Sequence, residues 1–99
     1  MIVHWTDTAQ RHLAAIYSYI EQDSPEYALR MIDRLTRRSE QIADVPFSGR
    51  RVPEYDRDHI REVIERPYRI IYTIKTDQID VIAVLHEAQN VQPCSGEED

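Results

Sequence analysis

The sequence predicts an α+β domain of the order β-α-α-β-β-β, an αα-hairpin packed on an antiparallel β-sheet. The main sign is the stretch from His59 to His86, where three runs rich in Ile, Val and Tyr are broken only by Arg66-Pro67 and by Lys75-Thr76-Asp77-Gln78. Short β-branched and aromatic runs between turn residues read as strands, and links this short make a meander. Ahead of it lie two apolar stripes at three- and four-residue steps, the mark of amphipathic helices that cannot bury those stripes alone. Length sets the scale: 99 residues support one domain with a single modest core.

Taken in order, Ile2-Val3-His4-Trp5 is a short strand. Thr6 or Asp7 then caps a helix to about Gln22, with Ala9, Leu13, Ile16, Tyr17 and Ile20 on one face. Ser24 is an N-cap, Pro25 suits the first helical position and Glu26 the first turn, which opens a second helix over 25–43. Its apolar face is Ala28, Met31, Ile32, Leu35 and Ile42, with small Ser39 in the gap. Pro46 ends that helix and Phe47-Ser48-Gly49 turns the chain. Pro53 limits the polar segment Arg50–Asp58 to an edge strand or loop. Strands follow over 58–65, 68–75 and 79–86. The domain is expected to span 1–90. Residues 91–99, with a Pro, a Gly and three closing acids, read as a frayed acidic tail.

The link at Lys75–Gln78 suggests a register. If Ile74 faces Ile79, then Tyr72 faces Val81, Ile70 faces Ala83 and Tyr68 faces Leu85, all on one apolar face. The opposite face then carries Arg69, Ile71 and Thr73 against Val84, Ile82 and Asp80, with Arg69 and His86 as neighbours. Across Arg66-Pro67, Ile64 opposes Arg69, which puts Glu62 and Arg69 on one face of adjacent strands and able to pair. Side chains alternate, so a one-residue slip would mix the faces.

Composition narrows the function. No apolar run approaches the roughly 20 residues of a membrane span, and no charged-then-apolar signal segment opens the chain. The single cysteine, Cys94, excludes an internal disulfide and fits a reducing cytoplasm. The two glycines, Gly49 and Gly96, form no phosphate loop. Net charge is −6, yet eleven of the twelve basic residues are Arg and ten of those lie between Arg30 and Arg69. An acidic chain is not a general nucleic-acid binder. Clustered Arg, suited to bidentate pairing with carboxylates, fits a surface for an acidic protein partner. Arg30, Arg34, Arg37 and Arg38 on the second helix are either that docking face or a solvated one. Glu26 and Asp33 stand four residues before Arg30 and Arg37, whereas Arg30/Arg34 and Arg34/Arg38 are like-charge pairs. His4, His12, His59 and His86 match no metal motif, so neither metal nor cofactor is expected. His86 is either a strand-end residue hydrogen-bonded to backbone or a general acid or base beside Arg69.

An ordered set of marks then spans residues 3 to 90. It comprises Trp5-Thr6 leading into a helix, Ile16-Tyr17-Ser18-Tyr19-Ile20, Ser24-Pro25, Pro46 with Gly49-Arg50, Ile60-Arg61-Glu62, Pro67-Tyr68-Arg69-Ile70-Ile71-Tyr72 and Val84-Leu85-His86. Together they resemble the RelE/ParE toxin superfamily, closer to its ParE branch. The resemblance implies the toxin half of a bacterial type II toxin–antitoxin pair, held silent by an antitoxin whose C-terminal segment wraps it. RelE-like members cut messenger RNA on the ribosome without a metal. ParE-like members are known as inhibitors of DNA gyrase with no enzymatic act of their own.

Carried over on the ribonuclease branch, Arg69 matches the phosphate-side Arg, with Arg61 and His86 as its companions. Ile60 and Glu62 stand where paired lysines belong, which disfavours catalysis. On the ParE branch, Arg61, Glu62, Arg69 and His86 are target-binding candidates and Arg30, Arg34, Arg37 and Arg38 the antitoxin face. The usual ParE ending, Gly-Ala-Arg-Asp after Val-Leu-His, is Glu87-Ala88-Gln89-Asn90 here. Three functions follow: a gyrase-directed toxin, a ribosome-dependent endoribonuclease, or a non-toxic binding module of the same fold.

Overall fold

The computed structural model describes residues 1–89. The expected tail over 91–99, Cys94 and Asn90 lie outside the described residues. Elements follow in the order β1 (Ile2–Trp5), α1 (Asp7–Glu21), α2 (Pro25–Ile42), β2 (Arg50–Arg51), β3 (Ile60–Glu65), β4 (Tyr68–Ile74) and β5 (Gln78–His86), with a 3₁₀ turn at Pro46–Ser48. One five-stranded sheet has the order β1-β5-β4-β3-β2. The meander is antiparallel as expected. β1 adds a parallel strand against β5, so the whole sheet is mixed.

Thr6 couples β1 to α1. Its hydroxyl accepts the Ala9 amide at 3.2 Å as N-cap and donates to the Val81 carbonyl at 2.9 Å. Ser24 caps α2 through the Tyr27 amide at 3.1 Å, with Pro25 in the first turn. Both stripes bury against one sheet face, where Ala9, Ile16, Met31, Leu35 and Ile42 meet Tyr68, Ile70, Tyr72, Ile79, Val81 and Val84. Ser39 is fully buried and satisfied, its hydroxyl donating to the Thr36 carbonyl at 2.7 Å and accepting from the Trp5 indole at 3.3 Å.

The β4–β5 register departs from the expectation halfway along. Ile74↔Ile79 and Tyr72↔Val81 pair as read, but a bulge follows and Ile82 is left unpaired. Beyond it Ile71 pairs with Ala83, Ile70 with Val84, Arg69 with Leu85 and Tyr68 with His86. The extra residue reverses every later side chain of β5. Val84 turns in against the helices, while Ile82, Ala83 and Leu85 join a second, smaller core of Val52, Ile60 and Ile71 on the other face. Past β1, the Val84 amide is met by His12 Nδ1 of α1 at 3.2 Å, so the bulged edge is satisfied.

The loop over 52–58 covers that second face. The Tyr55 and Asp56 amides both donate to the Val52 carbonyl, at 3.1 and 2.9 Å, and Asp56 takes φ 53°, a conformation Asp tolerates. This fold-over lays Tyr55 on the small core and brings Glu54 to the sheet.

Candidate functional site: an arginine–carboxylate network and a divided cluster

The expected Glu62–Arg69 pairing is present and forms the middle of a longer network. The two-residue link Arg66-Pro67 sets Ile64 opposite Arg69, so Glu62 and Arg69 lie diagonally on the loop-covered face. Arg69 Nε donates to Glu62 Oε1 at 2.7 Å. The other Glu62 oxygen accepts from Arg50, its cross-strand partner on β2. Arg69 also grips Glu54 with both terminal nitrogens, at 3.2 and 3.1 Å, and donates to the Gln89 carbonyl at 2.6 Å. Four charges thus alternate as Arg50, Glu62, Arg69 and Glu54, a balanced set. Glu62 is 1% exposed and Arg69 4%. Burial works against the charge on Arg69, but its hydrogen bonds to Glu54 and Glu62 outweigh that and push its pKa up. Sequence reasoning alone misses Arg50 and Glu54. Glu54 reaches Arg69 only through the loop's tertiary path, which leaves no local signal.

The other candidates are not brought to Arg69. Arg61 opposes Tyr72 on β3 and so sits on the helix-side face. Its guanidinium is spent on chain closure: to the Asp58 carbonyl at 2.8 Å and carboxylate at 2.7 Å, and to the Gly49 carbonyl at 3.0 Å. Phe47 stacks beneath it, 5.0 Å from ring centroid to guanidinium. The bulge moves His86 opposite Tyr68, away from the Arg69 face where the straight register had put it. That neighbour relation is corrected: one inserted residue inverts the strand end. His86 Nδ1 accepts the Ala88 amide at 3.2 Å, its own amide donates to Gln89 Oε1 at 2.8 Å, and its ring stands edge-on to Tyr68 at 6.0 Å. Gln89 therefore closes both sides of the sheet end, by its side chain to His86 and by its carbonyl to Arg69. Glu87 is held by Arg66, with both carboxylate oxygens 2.9 Å from its Nη1.

On α2 the four arginines divide as well. Arg34 donates to Glu65 at 2.9 Å and to the Arg66 carbonyl at 3.2 Å, tying the helix to the edge of β3, and Arg38 lies 3.9 Å from the same carboxylate. Arg37 pairs with Asp33 at 3.0 Å on an exposed surface. Arg30 is exposed and makes no ion pair among the described residues. Exposed pairs of this kind contribute less than about 1 kcal/mol. Among the described residues no group of three or more His, Cys, Asp or Glu side chains is placed to hold a metal ion. No helix among them is long and apolar enough to cross a membrane.

Comparison with known proteins agrees with this architecture. The model of the ParE toxin of the parDE type II toxin–antitoxin system matches residues 3–91. Y4kP of Sinorhizobium fredii (strain NBRC 101917 / NGR234) is 34% identical over 91 residues, covering 88% of each chain. Toxin RelE2 of Caulobacter vibrioides is 33% identical over 87 residues, covering 88% of this chain and 96% of its own. A solved structure described as the chromosomal ParDE TA system from P. aeruginosa superposes with a TM-score of 0.72 at 25% identity, covering 87% of this chain and 95% of that one. With the helix hairpin, the meander and the order of motifs all in agreement, the chain belongs to the ParE toxin family of type II toxin–antitoxin systems.

Proposed function

We propose that this toxin acts in the cytoplasm by binding and inhibiting a protein target, DNA gyrase, without chemistry of its own, and that a cognate antitoxin silences it. The observation that supports this most is the state of Arg69. Cutting RNA without a metal needs a cation free to meet the phosphate and a proton-transfer group beside it. Arg69 is 4% exposed and bound by two carboxylates and a main-chain carbonyl, while Arg61 and His86 face the other side of the sheet. Loss of one transition-state cation costs about 3 kcal/mol, roughly a hundredfold in rate. The name of the Caulobacter relative, a RelE toxin, favours the ribonuclease as the second reading.

Expression of the chain without its antitoxin separates them. Growth arrest with DNA breakage and SOS induction is the expected result, with primer extension showing no cuts at ribosome A-site codons. Such cuts, disappearing on His86→Ala, would establish the ribonuclease. Absence of arrest would leave the non-toxic binding module.

For the antitoxin face, Arg30 and Arg37 are the candidates whose charge is available. Neither makes a tertiary ion pair among the described residues, whereas Arg34 and Arg38 already meet Glu65. Reversing both, Arg30→Glu with Arg37→Glu, leaves the fold intact and is expected to weaken antitoxin binding at least about tenfold, 1.4 kcal/mol, in a calorimetric titration. Unchanged affinity would return them to a solvated face.

A further inference from the structure

The groove where the α1–α2 turn meets the end of β4 and β5 has about 320 Å³ and is lined by Tyr19, Asp23, Tyr27, Met31, Tyr68 and His86, among others. We infer that this groove seats one Lys or Arg side chain carried by the antitoxin's toxin-binding segment, an assignment that rests on the antitoxin reading above.

Size comes first. The volume is at the small end for a ligand site, room for one long side chain and not for a cofactor. Its walls are aromatic and face water: Tyr19 is 73% exposed and Tyr27 40%. Buried Tyr68 and exposed His86 line it side by side, their rings edge to face at 6.0 Å and 78°. Aromatic faces of this kind attract a cation held within about 6 Å.

Among the lining residues Asp23 carries the one fixed charge. Asp23 supplies a carboxylate beside the C-terminal end of α1, and the last turn of α1 carries no basic residue to offset its carbonyls. The opposing positive end of α2 is already offset by the Ser24 cap and by Glu26. Burial first, then the neighbouring Tyr27 and Tyr19, push the pKa of the Tyr68 phenol up. Among the described residues no Lys or Arg lines the groove. Arg66, next to Pro67 on its rim, is engaged by Glu87. An acidic occupant would meet Asp23 and the α1 carbonyl end. A wholly apolar one would fit against Ile20, Met31 and Pro67 but would strip water from the phenols and the carboxylate without replacing its hydrogen bonds. A cationic head on an aliphatic stem satisfies both the rings and the charge.

The test has two arms. In the first, the free toxin is titrated with Nα-acetyl-arginine amide and Nα-acetyl-lysine amide while the ring protons of Tyr19, Tyr27 and Tyr68 are followed by NMR. Saturable shifts are expected, lost in Asp23→Asn and absent with the glutamate and leucine amides. No shifts, or equal shifts with leucine amide, would overturn the seat. In the second arm the cognate antitoxin is titrated against wild type, Asp23→Asn and Tyr19→Ala, both surface changes. Each variant is expected to raise Kd by about tenfold, within the range of a desolvated cation–aromatic contact. Unchanged Kd in both would overturn the antitoxin assignment while wild-type binding upholds the antitoxin reading itself. Failure of wild type to bind would instead overturn that reading, and the assignment to the antitoxin with it, whatever shifts the amides produce.

Discussion

Arg69→Ala is expected to lower the unfolding free energy by about 3 kcal/mol, the low end for breaking a buried ion pair. The change leaves Glu62 fully buried with only Arg50 beside it, and frees the two-pronged grip on Glu54 that holds the loop over 52–58 to the sheet. The Gln89 carbonyl also loses its donor. Domains of this size have about 5–15 kcal/mol in total and shift about 4–8 °C in Tm per kcal/mol, so a fall of roughly 12–24 °C should be visible by thermal denaturation. The double variant Arg69→Met with Glu62→Leu should be milder than the single, because no buried charge is left unpaired. A loss under about 1 kcal/mol for the single variant would show that the network is not holding this face together. The result bears on function too. Loss of toxicity in Arg69→Ala cannot be read as loss of a catalytic or contact group, whereas His86→Ala, at the exposed strand end, removes only the ring's contacts with the Ala88 amide and Tyr68.

Deletion of Ile82 should remove the bulge yet keep the fold, at a cost of about 2 kcal/mol, the low end for emptying a core position, because Ile82 packs on the smaller core. The shortened strand runs straight from Tyr72↔Val81, and Ala83, Val84, Leu85 and His86 keep their native partners Ile71, Ile70, Arg69 and Tyr68. Val84, 2% exposed against the helices, therefore stays on the helix side, and Leu85 stays with the smaller core. Chemical denaturation measures the loss, and a fall above about 5 kcal/mol would show that the bulge itself holds the sheet end together.

Much of this protein is legible without coordinates because its signals are local. Ser24-Pro25-Glu26 fixes where α2 starts, since a cap, a preset φ and the helix dipole all act within one turn. The apolar steps from Ala9 to Ile20 and from Ala28 to Ile42 decide which helix faces are buried, and Ser39 occupies the gap the pattern left for it. The Glu62–Arg69 pair is readable for the same reason: a two-residue link leaves β3 and β4 one sensible register. What escapes is what depends on surroundings. Ile82-Ala83-Val84-Leu85 is apolar at every position, so alternation cannot choose between registers, and the choice falls to packing on both faces at once. The parallel pairing of β1 joins residues more than seventy positions apart, with no turn between them to announce it. Glu54 is an ordinary exposed acid by sequence, and becomes the cover of Arg69 only after the loop folds across a sheet face. Tertiary structure alone therefore decided which charges are spent on the fold and which remain for a partner, because burial and pairing are set by neighbours that sequence distance hides.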